Sequence, residues 1–338
     1  MLVGLCGGIC AGKHSVAISL IEKHAFQPIS LLRTVSTPAV EKSASDARLP
    51  ESPPISSVHT FPNVDELLDF VTKRWQERWV MTDIWDEKDL DALLRRPFFI
   101  LVSVEAPVSV RWQRFKARCL AHSLAPPTLE QFVLRSDEHL YSPETGLAKL
   151  LDRAQVRLLN PSASIKTLHA ALENLDLADE KRLRPTWDQY FMQLASLAAQ
   201  RSNCMKRRVG CVLVRERRVI STGYNGTPRG LQNCNEGGCP RCNGGQSAGV
   251  ALSTCLCIHA EENALLEAGR ERIREGSTLY CDTCPCLTCS IKIAQVGINE
   301  VVYSQGYYMD TETAAVFREA GVQLRQFSPP RHGLVELT

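Results

Sequence analysis

The sequence predicts an α/β protein with two domains, and its length of 338 residues is sufficient for two cores. Near the start, a short apolar strand runs into a glycine-rich loop and then a helix. After residue 186 a helix and two strands are followed by helices and strands in alternation. This order is typical of one sheet covered by helices on both faces, so we expect a three-layer α/β/α second domain.

Composition and charge indicate the domain boundaries and exclude some classes of binding partner. We expect a first domain over residues 1–176, a polar linker over 177–186 and a second domain over 187–338, with a disordered loop at 36–57 that is rich in Pro, Ser and Ala. Formal net charge is +2, without a basic stripe interleaved with aromatics, so neither nucleic acid nor membrane is an expected partner. No apolar run reaches the length of a bilayer span.

The first domain begins with a phosphate-loop pattern. Gly7, Gly12 and Lys13 match G-x-x-x-x-G-K between the predicted strand 1–6 and the predicted helix 15–24. His14 stands where Ser or Thr normally binds Mg²⁺. With the strand 98–104 and the arginine-bearing helix after it, this region resembles P-loop kinases of small metabolites. We expect a degenerate kinase-like domain without phosphoryl transfer, and leave open whether it binds a nucleotide.

In the second domain, apolar spacing predicts helices over 187–199, 258–268 and 286–296, and strands over 209–214, 218–222, 278–281, 300–303 and 322–327. His259 would open one helix and Cys286 another, with Cys289 on the next turn. One His and two Cys leave the fourth position of a tetrahedral zinc open for water, as a catalytic site requires. Glu261, two residues from the histidine, completes the H-x-E…P-C-x-x-C signature as a proton carrier.

Fourteen cysteines in a long chain without a signal peptide favour metal binding over disulfides. We therefore expect a reducing compartment, either the cytoplasm or the nucleus. Several crowd a Gly- and Asn-rich insertion with little apolar content, which a second, structural zinc would stabilise. Six candidates exceed the four ligands of one zinc, and buried free thiols remain the alternative. The candidate pool is Cys204, Cys234, Cys239, Cys242, Cys255 and Cys257.

Four segments in order resemble the deoxycytidylate (dCMP) deaminase family, specifically its fungal type: RSNCMKRRVG, GYNGTPRG, HAEENA and CPCLTC. The resemblance implies zinc-dependent hydrolysis of dCMP to dUMP and ammonia, which supplies dUMP for thymidylate synthesis. Glu261 would move the protons, and the backbone at Ala260 would orient the base. Asn225 would bind base and sugar, and Arg201 and Tyr308 the 5′-phosphate.

The same resemblance implies regulation. The loop residues Gly223, Tyr224, Gly226, Pro228 and Gly230 would form a nucleotide site at which dCTP with Mg²⁺ activates and dTTP inhibits, within a homohexamer. Two other readings stay open: a deaminase of free cytidine, deoxycytidine or nucleic-acid bases, and a non-catalytic zinc module. An intact Glu261 speaks against the latter, because a structural zinc site has no use for that carboxylate.

Overall fold

The computed structural model describes residues 1–32, 59–162, 164–245, 247, 250–306, 310–328 and 334–337. They form two compact units, residues 1–184 with 331–338, and residues 185–330. The predicted loop 36–57 lies outside the described residues. The boundaries differ from the predicted ones in two places. Leu177 and Ala178, predicted as linker, are buried in the first core, and Leu334–Glu336 pairs with a strand of the first unit and not with the second domain.

Parallel strands connected by helices build the first unit. Its strands are β1 (Leu2–Gly7), β2 (Gln27–Leu31), β3 (His59–Phe61), β4 (Trp79–Met81), β5 (Phe99–Glu105), β6 (Val156–Leu159) and, from the end of the chain, β12 (Leu334–Glu336). Its helices are α1 (Lys13–His24), α2 (Val64–Lys73), α3 (Glu87–Leu94), α4 (Val108–Ala121), α5 (Leu129–Tyr141), α6 (Ala148–Asp152) and α7 (Ile165–Leu175).

Within the described residues the strand order is β12-β6-β5-β1-β4-β2-β3, and every recorded pairing is parallel. Side chains alternate along β1: Val3 and Leu5 enter one core, and Leu2 and Cys6 the other. Both faces are therefore buried, as the continuous apolar sequence of a parallel strand requires.

The second unit carries the predicted site. Its strands are β7 (Gly210–Arg215), β8 (Arg218–Tyr224), β9 (Ser277–Thr283), β10 (Glu300–Gln305) and β11 (Gln323–Gln326). Its helices are α8 (Trp187–Ala199), α9 (Pro240–Asn243), α10 (Ala260–Ala268), α11 (Leu287–Val296) and α12 (Asp310–Glu319).

This unit has three layers around a sheet of order β11-β10-β9-β7-β8, antiparallel at β7 and parallel at β10. Cys211, Leu213 and Leu279 pack against α10, α11 and α12 on one face. Val212 and Tyr280 pack against Phe191 of α8 on the other. The predicted three-layer α/β arrangement is present, with α9 and α12 as additional helices. Among the described residues, no helix is both long and apolar enough to span a membrane.

Candidate zinc active site

Two helix N-termini meet at the predicted zinc site. His259 is the N-cap of α10 and Cys286 is the N-cap of α11. The carboxylate of Glu262 accepts a hydrogen bond from the His259 backbone N–H at 3.0 Å, which fixes the start of α10. Partial positive charge at each helix start favours thiolate over thiol. The fold therefore places these residue types where a cation with anionic ligands is stabilised.

The three side chains have the spacing of metal ligands. His259 Nδ1 lies 3.3 Å from the Sγ of Cys286 and 3.3 Å from the Sγ of Cys289. All three donor atoms lie within 4.8 Å of one another. Tetrahedral zinc, with Zn–N and Zn–S distances of about 2.0 and 2.3 Å, separates nitrogen and sulfur ligands by about 3.5 Å. The residues present fit a zinc ion with three protein ligands.

The thiol pair already favours one thiolate. A hydrogen bond from the Cys289 thiol, supported by His259 and Thr288, lowers the pKa of Cys286 to about 3. The same interaction, together with burial, raises the pKa of Cys289. The pair thus holds one proton at neutral pH, and binding of a divalent cation would displace it.

Glu261 lies beside this cluster and is buried. It is 4% exposed, although carboxylates are seldom fully buried without a partner. Burial raises the pKa of its carboxyl to about 7. A carboxyl of this kind can gain and lose a proton near neutral pH, which is the property of a general acid–base group.

Close packing against β8 sets the position of α10. A Cβ at Gly223 would lie 2.1 Å from the Ala260 carbonyl oxygen and 2.5 Å from the Ala264 nitrogen, so only glycine allows this approach. Ser221 donates from Oγ to the Ala264 carbonyl at 2.7 Å, and Asn263 donates from Nδ2 to the Tyr224 carbonyl at 2.8 Å. The first turn of α10, with Glu261, is therefore fixed to the sheet.

Asn225 is buried and organises the loop that precedes β7. Its Oδ1 accepts from Ser202 Oγ at 2.7 Å and from the Val209 N–H at 2.8 Å. Its Nδ2 donates to the Arg207 carbonyl at 2.8 Å. The Ser202 hydroxyl is also 2.8 Å from the Asn225 carbonyl oxygen, so its one proton is shared between two acceptors of Asn225. The described contacts use one amide N–H of Asn225, and the second N–H is the one that a substrate would receive. Ser202 is a contributor that the sequence interpretation did not single out.

A polar cavity of about 370 Å³ lies along the same loop. It is lined by Ser202, Asn203, Cys204, Met205, Lys206, Arg207, Arg208 and Asn235. Arg201 is exposed, and Tyr308 lies outside the described residues. The basic run 206–208 was part of the RSNCMKRRVG motif, and three consecutive cations are the signal that could have marked it as a phosphate-binding candidate.

The glycines of the segment 223–230 are explained by different local contacts. Gly223 is required by the approach of α10, as described above. A Cβ at Gly226 would lie 2.4 Å from Asn203 Oδ1, and the Gly226 backbone forms a bridge with Ile258. Gly230, at φ +90, lies in open space. Packing thus accounts for Gly223 and Gly226, and Tyr224 ends β8.

The six candidate cysteines come together. Four of them are buried, and they form a small cluster with Cys204 and Cys255 in which every described member is a cysteine. Donor atoms lie within 4.8 Å of one another in two sets of four: Cys204, Cys234, Cys242, Cys257, and Cys239, Cys242, Cys255, Cys257. By contrast, Cys211 and Cys281 contact each other in the sheet core, and Cys284 is also buried.

In the first unit, the loop between β1 and α1 lines a cavity of about 270 Å³. Lys13 Nζ donates to the Gly7 carbonyl at 3.3 Å. Arg114 donates to the carbonyls of Cys10 and Ala11 at 3.2 and 3.0 Å. Gly12 adopts φ +112, and a Cβ there would lie 2.4 Å from Asn160 Nδ2.

Comparison with known proteins places this site in a family. Residues 185–305 match the model described as the cytidine and deoxycytidylate deaminase zinc-binding region. The chain is 50% identical over 98% of its length to the deoxycytidylate deaminase of Schizosaccharomyces pombe, covering 99% of that protein. It is 51% identical over 79% of its length to that of Saccharomyces cerevisiae, covering 86%. The dCMP deaminase of cyanophage S-TIM5, solved with dCMP and dUMP, is 31% identical over 43% of this chain and 98% of that one, with a TM-score of 0.35.

The fold and the His-Cys-Cys cluster with its buried glutamate define a zinc-dependent deaminase. With one sequence relative that matches over 98% of its length and another over 79%, the chain belongs to the deoxycytidylate deaminase family.

Proposed function

We propose that this protein hydrolyses dCMP to dUMP and ammonia, in the pyrimidine branch of nucleotide biosynthesis. The observation that carries the proposal is the three-ligand cluster of His259, Cys286 and Cys289 next to a buried Glu261. Held by these three residues, a zinc ion would have its fourth position available to water, which a closed four-ligand site does not allow. Zinc bound there supplies Lewis acidity, which lowers the pKa of water toward neutrality.

Glu261 moves the protons of the reaction. As carboxylate it accepts a proton from the attacking water, as acid it delivers that proton to N3 of the pyrimidine, and it then assists protonation of the leaving amine. Water adds at C4 and the C4–N4 bond breaks, so one water is consumed for each ammonia released. Burial of Glu261 suits this role, because a pKa of about 7 makes its protonated and ionised forms nearly equal in free energy at neutral pH.

The remaining residues position the nucleotide. The Ala260 backbone, in the first turn of α10, orients the base, and the second N–H of Asn225 contacts base or sugar. We assign the 5′-phosphate to Arg201 and Tyr308 and extend the assignment to the basic run 206–208, whose cavity lies along the loop held by Asn225. Guanidinium groups are suited to a phosphate dianion because they donate two parallel hydrogen bonds.

Regulation and assembly are also proposed on the family resemblance. The loop 223–230 would bind dCTP with Mg²⁺ as activator and dTTP as inhibitor, within a homohexamer. Packing already explains Gly223, whereas a Cβ at Gly230 would meet no heavy atom within 4 Å. The change in dCMP turnover on addition of dCTP or dTTP, relative to turnover without either nucleotide, tests this proposal.

The first unit is proposed to be a degenerate P-loop, kinase-like domain. A parallel sheet with β1 inside it, followed by the Gly7–Lys13 loop and α1, supports that reading. His14 cannot supply the hydroxyl that binds Mg²⁺, so we expect no phosphoryl transfer.

The decisive experiment measures ammonia release from dCMP, CMP, deoxycytidine, cytidine and single-stranded DNA. We expect turnover of dCMP to exceed that of every other substrate. Activity on DNA alone, or on free nucleosides without a phosphate requirement, would overturn the substrate assignment. Absence of activity on all five, with zinc bound, would favour a non-catalytic zinc module.

A further inference from the structure

We infer that the six cysteines of the second unit bind two zinc ions that share two sulfurs, and not one zinc with two spare thiols. Cys242 and Cys257 belong to both four-cysteine sets, so they are the shared ligands. Cys204 and Cys234 complete one set, and Cys239 and Cys255 the other. This binuclear site is additional to the catalytic ion and is independent of the deaminase reaction.

Sulfur spacing is the first argument. With Zn–S of about 2.3 Å, the edge of a tetrahedron of sulfur ligands is about 3.8 Å. The shared pair Cys242–Cys257 is separated by 3.9 Å. In the first set Cys204 lies 3.8 Å from Cys242. In the second set Cys255 lies 3.8 Å from Cys242 and 3.9 Å from Cys239. Edges of tetrahedral length therefore occur in both sets.

The spacing also argues against other uses of these thiols. A disulfide requires its sulfurs at about 2.0 Å, and all fourteen cysteines are free. A single zinc in either set would leave two sulfurs of the other set without a metal, although those sulfurs lie at the same spacing. Both sets meet the same spacing criterion, with all four sulfurs within 4.8 Å of one another, so spacing gives no reason to fill one set and leave the other empty.

Hydrogen bonds to the unshared sulfurs are the second argument. The Met205 N–H points to Cys234 Sγ at 3.4 Å, and the Leu256 N–H points to Cys239 Sγ at 3.4 Å. Arg241 brings a guanidinium nitrogen to 3.8 Å from Cys255 Sγ. N–H donors of this kind stabilise thiolate ligands of metals. They are directed at both sets, which indicates thiolates in both.

Charge and folding are consistent with two ions. Six thiolates and two Zn²⁺ give a formal charge of −2, the same as one zinc with four thiolates. The charge of the second ion is cancelled by the two thiolates that it adds. Over residues 234–257 the fully buried side chains that the structure describes are all cysteines, whereas Val250, Leu252 and Leu256 are exposed. Metal binding supplies the folding free energy that apolar burial does not.

The test is the zinc content of the purified full-length chain. We expect three zinc ions per chain, one catalytic and two in the cysteine cluster. Cys242→Ser removes a ligand of both cluster ions, so the count should fall from three to one, while the matched control Cys10→Ser keeps three. The double variant His259→Ala, Cys286→Ser should keep two, which identifies the catalytic ion separately. A wild-type count of two or fewer, or a loss of only one ion in Cys242→Ser, would overturn the proposal.

If Cys242→Ser does not fold, the wild-type protein still decides the matter. After replacement of zinc by ¹¹³Cd, two resonances from all-sulfur sites should be split by mutual coupling, because the nuclei are joined through shared sulfurs. Two unsplit resonances would mean separate sites, and a single one would mean one cluster ion. Either result contradicts a shared binuclear site, whatever the outcome for dCMP turnover.

Discussion

The loop between β1 and α1 in the first unit and the segment between β9 and α11 in the second both lead from a buried strand into a helix. In the first, the charged groups bind the loop itself: Lys13 reaches the Gly7 carbonyl and Arg114 reaches the Cys10 and Ala11 carbonyls. In the second, the Cys286 sulfur lies close to the ligand atoms of His259 and Cys289. These side chains come from the starts of two different helices, α10 and α11.

This difference separates a motif from a chemical site. A glycine-rich loop with a lysine provides a backbone shape, but phosphoryl transfer also needs a group that holds Mg²⁺, and His14 replaces it. The strand-to-helix junction between β9 and α11 meets α10, so metal ligands and a proton carrier from two helices come to one place. We therefore expect substitutions at this second junction to lower dCMP turnover. Substitutions at the first junction, between β1 and α1, should affect stability or have no measurable effect.

The largest expected effect is that of Glu261→Gln, which removes the proton carrier and preserves shape. We expect kcat for dCMP to fall by about 10³-fold or more, because general acid–base groups contribute of that order. Zinc content should not change. The matched control is Glu262→Gln in the same helical turn, where glutamine can still accept the His259 N–H, and most activity should remain. A Glu261→Gln enzyme within about tenfold of wild type would refute the assigned role.

A second, smaller effect tests the packing that positions α10. Gly223→Ala places a methyl group where the Ala260 carbonyl lies, so strand and helix must separate. We expect a loss of about 1–3 kcal/mol in the free energy of unfolding, typical of overpacking, together with reduced dCMP turnover.

The control is Leu266→Ala on the same helix, whose side chain is 74% exposed. Urea unfolding should show a change of less than about 0.5 kcal/mol there. Equal stability of Gly223→Ala and wild type would mean that the close approach is not required.

A pH-dependent effect is expected in the first unit. Burial lowers the pKa of His14 to about 4 from its usual 6.5. Between these values the unfolded chain binds a proton that the folded one does not, so His14 contributes a loss of stability as pH falls from 6.5 toward 4.

His14→Ser removes this loss. Because the imidazole retains solvent contact, we expect wild type to lose about 1 kcal/mol relative to the variant between pH 7 and pH 5. Tryptophan fluorescence reports mainly on this unit, since four of the five tryptophans lie before residue 113. The exposed His122→Ser is the control. A wild type and variant that respond identically to pH would contradict the cause assigned to the shift.

The sequence predicted most of the second unit because its signals are local. The predicted helix 187–199 coincides with α8, and the H-x-E and C-x-x-C spacings fixed which side chains share a helical turn. What sequence could not give depends on distant segments. Cys204 joins Cys242 across 38 positions, and β12 is a three-residue strand whose pairing with β6 no local pattern specifies. The sequence pattern does not predict α12, because Thr313 and Phe317 are its fully buried side chains among the residues with described burial, and two positions are too few to establish a period.

The smallest expected effect is that of Lys13→Ala on dCMP turnover, which we expect to be none. Lys13 lies in the first unit and donates to the backbone of its own loop, so its loss removes no group that acts on the pyrimidine. Incubation with ATP, Mg²⁺ and candidate acceptors should give no phosphate transfer by wild type or variant, because His14 offers no hydroxyl to Mg²⁺. Transfer by wild type that Lys13→Ala abolishes would show that the first junction is also catalytic, and the contrast between the two junctions would then be lost.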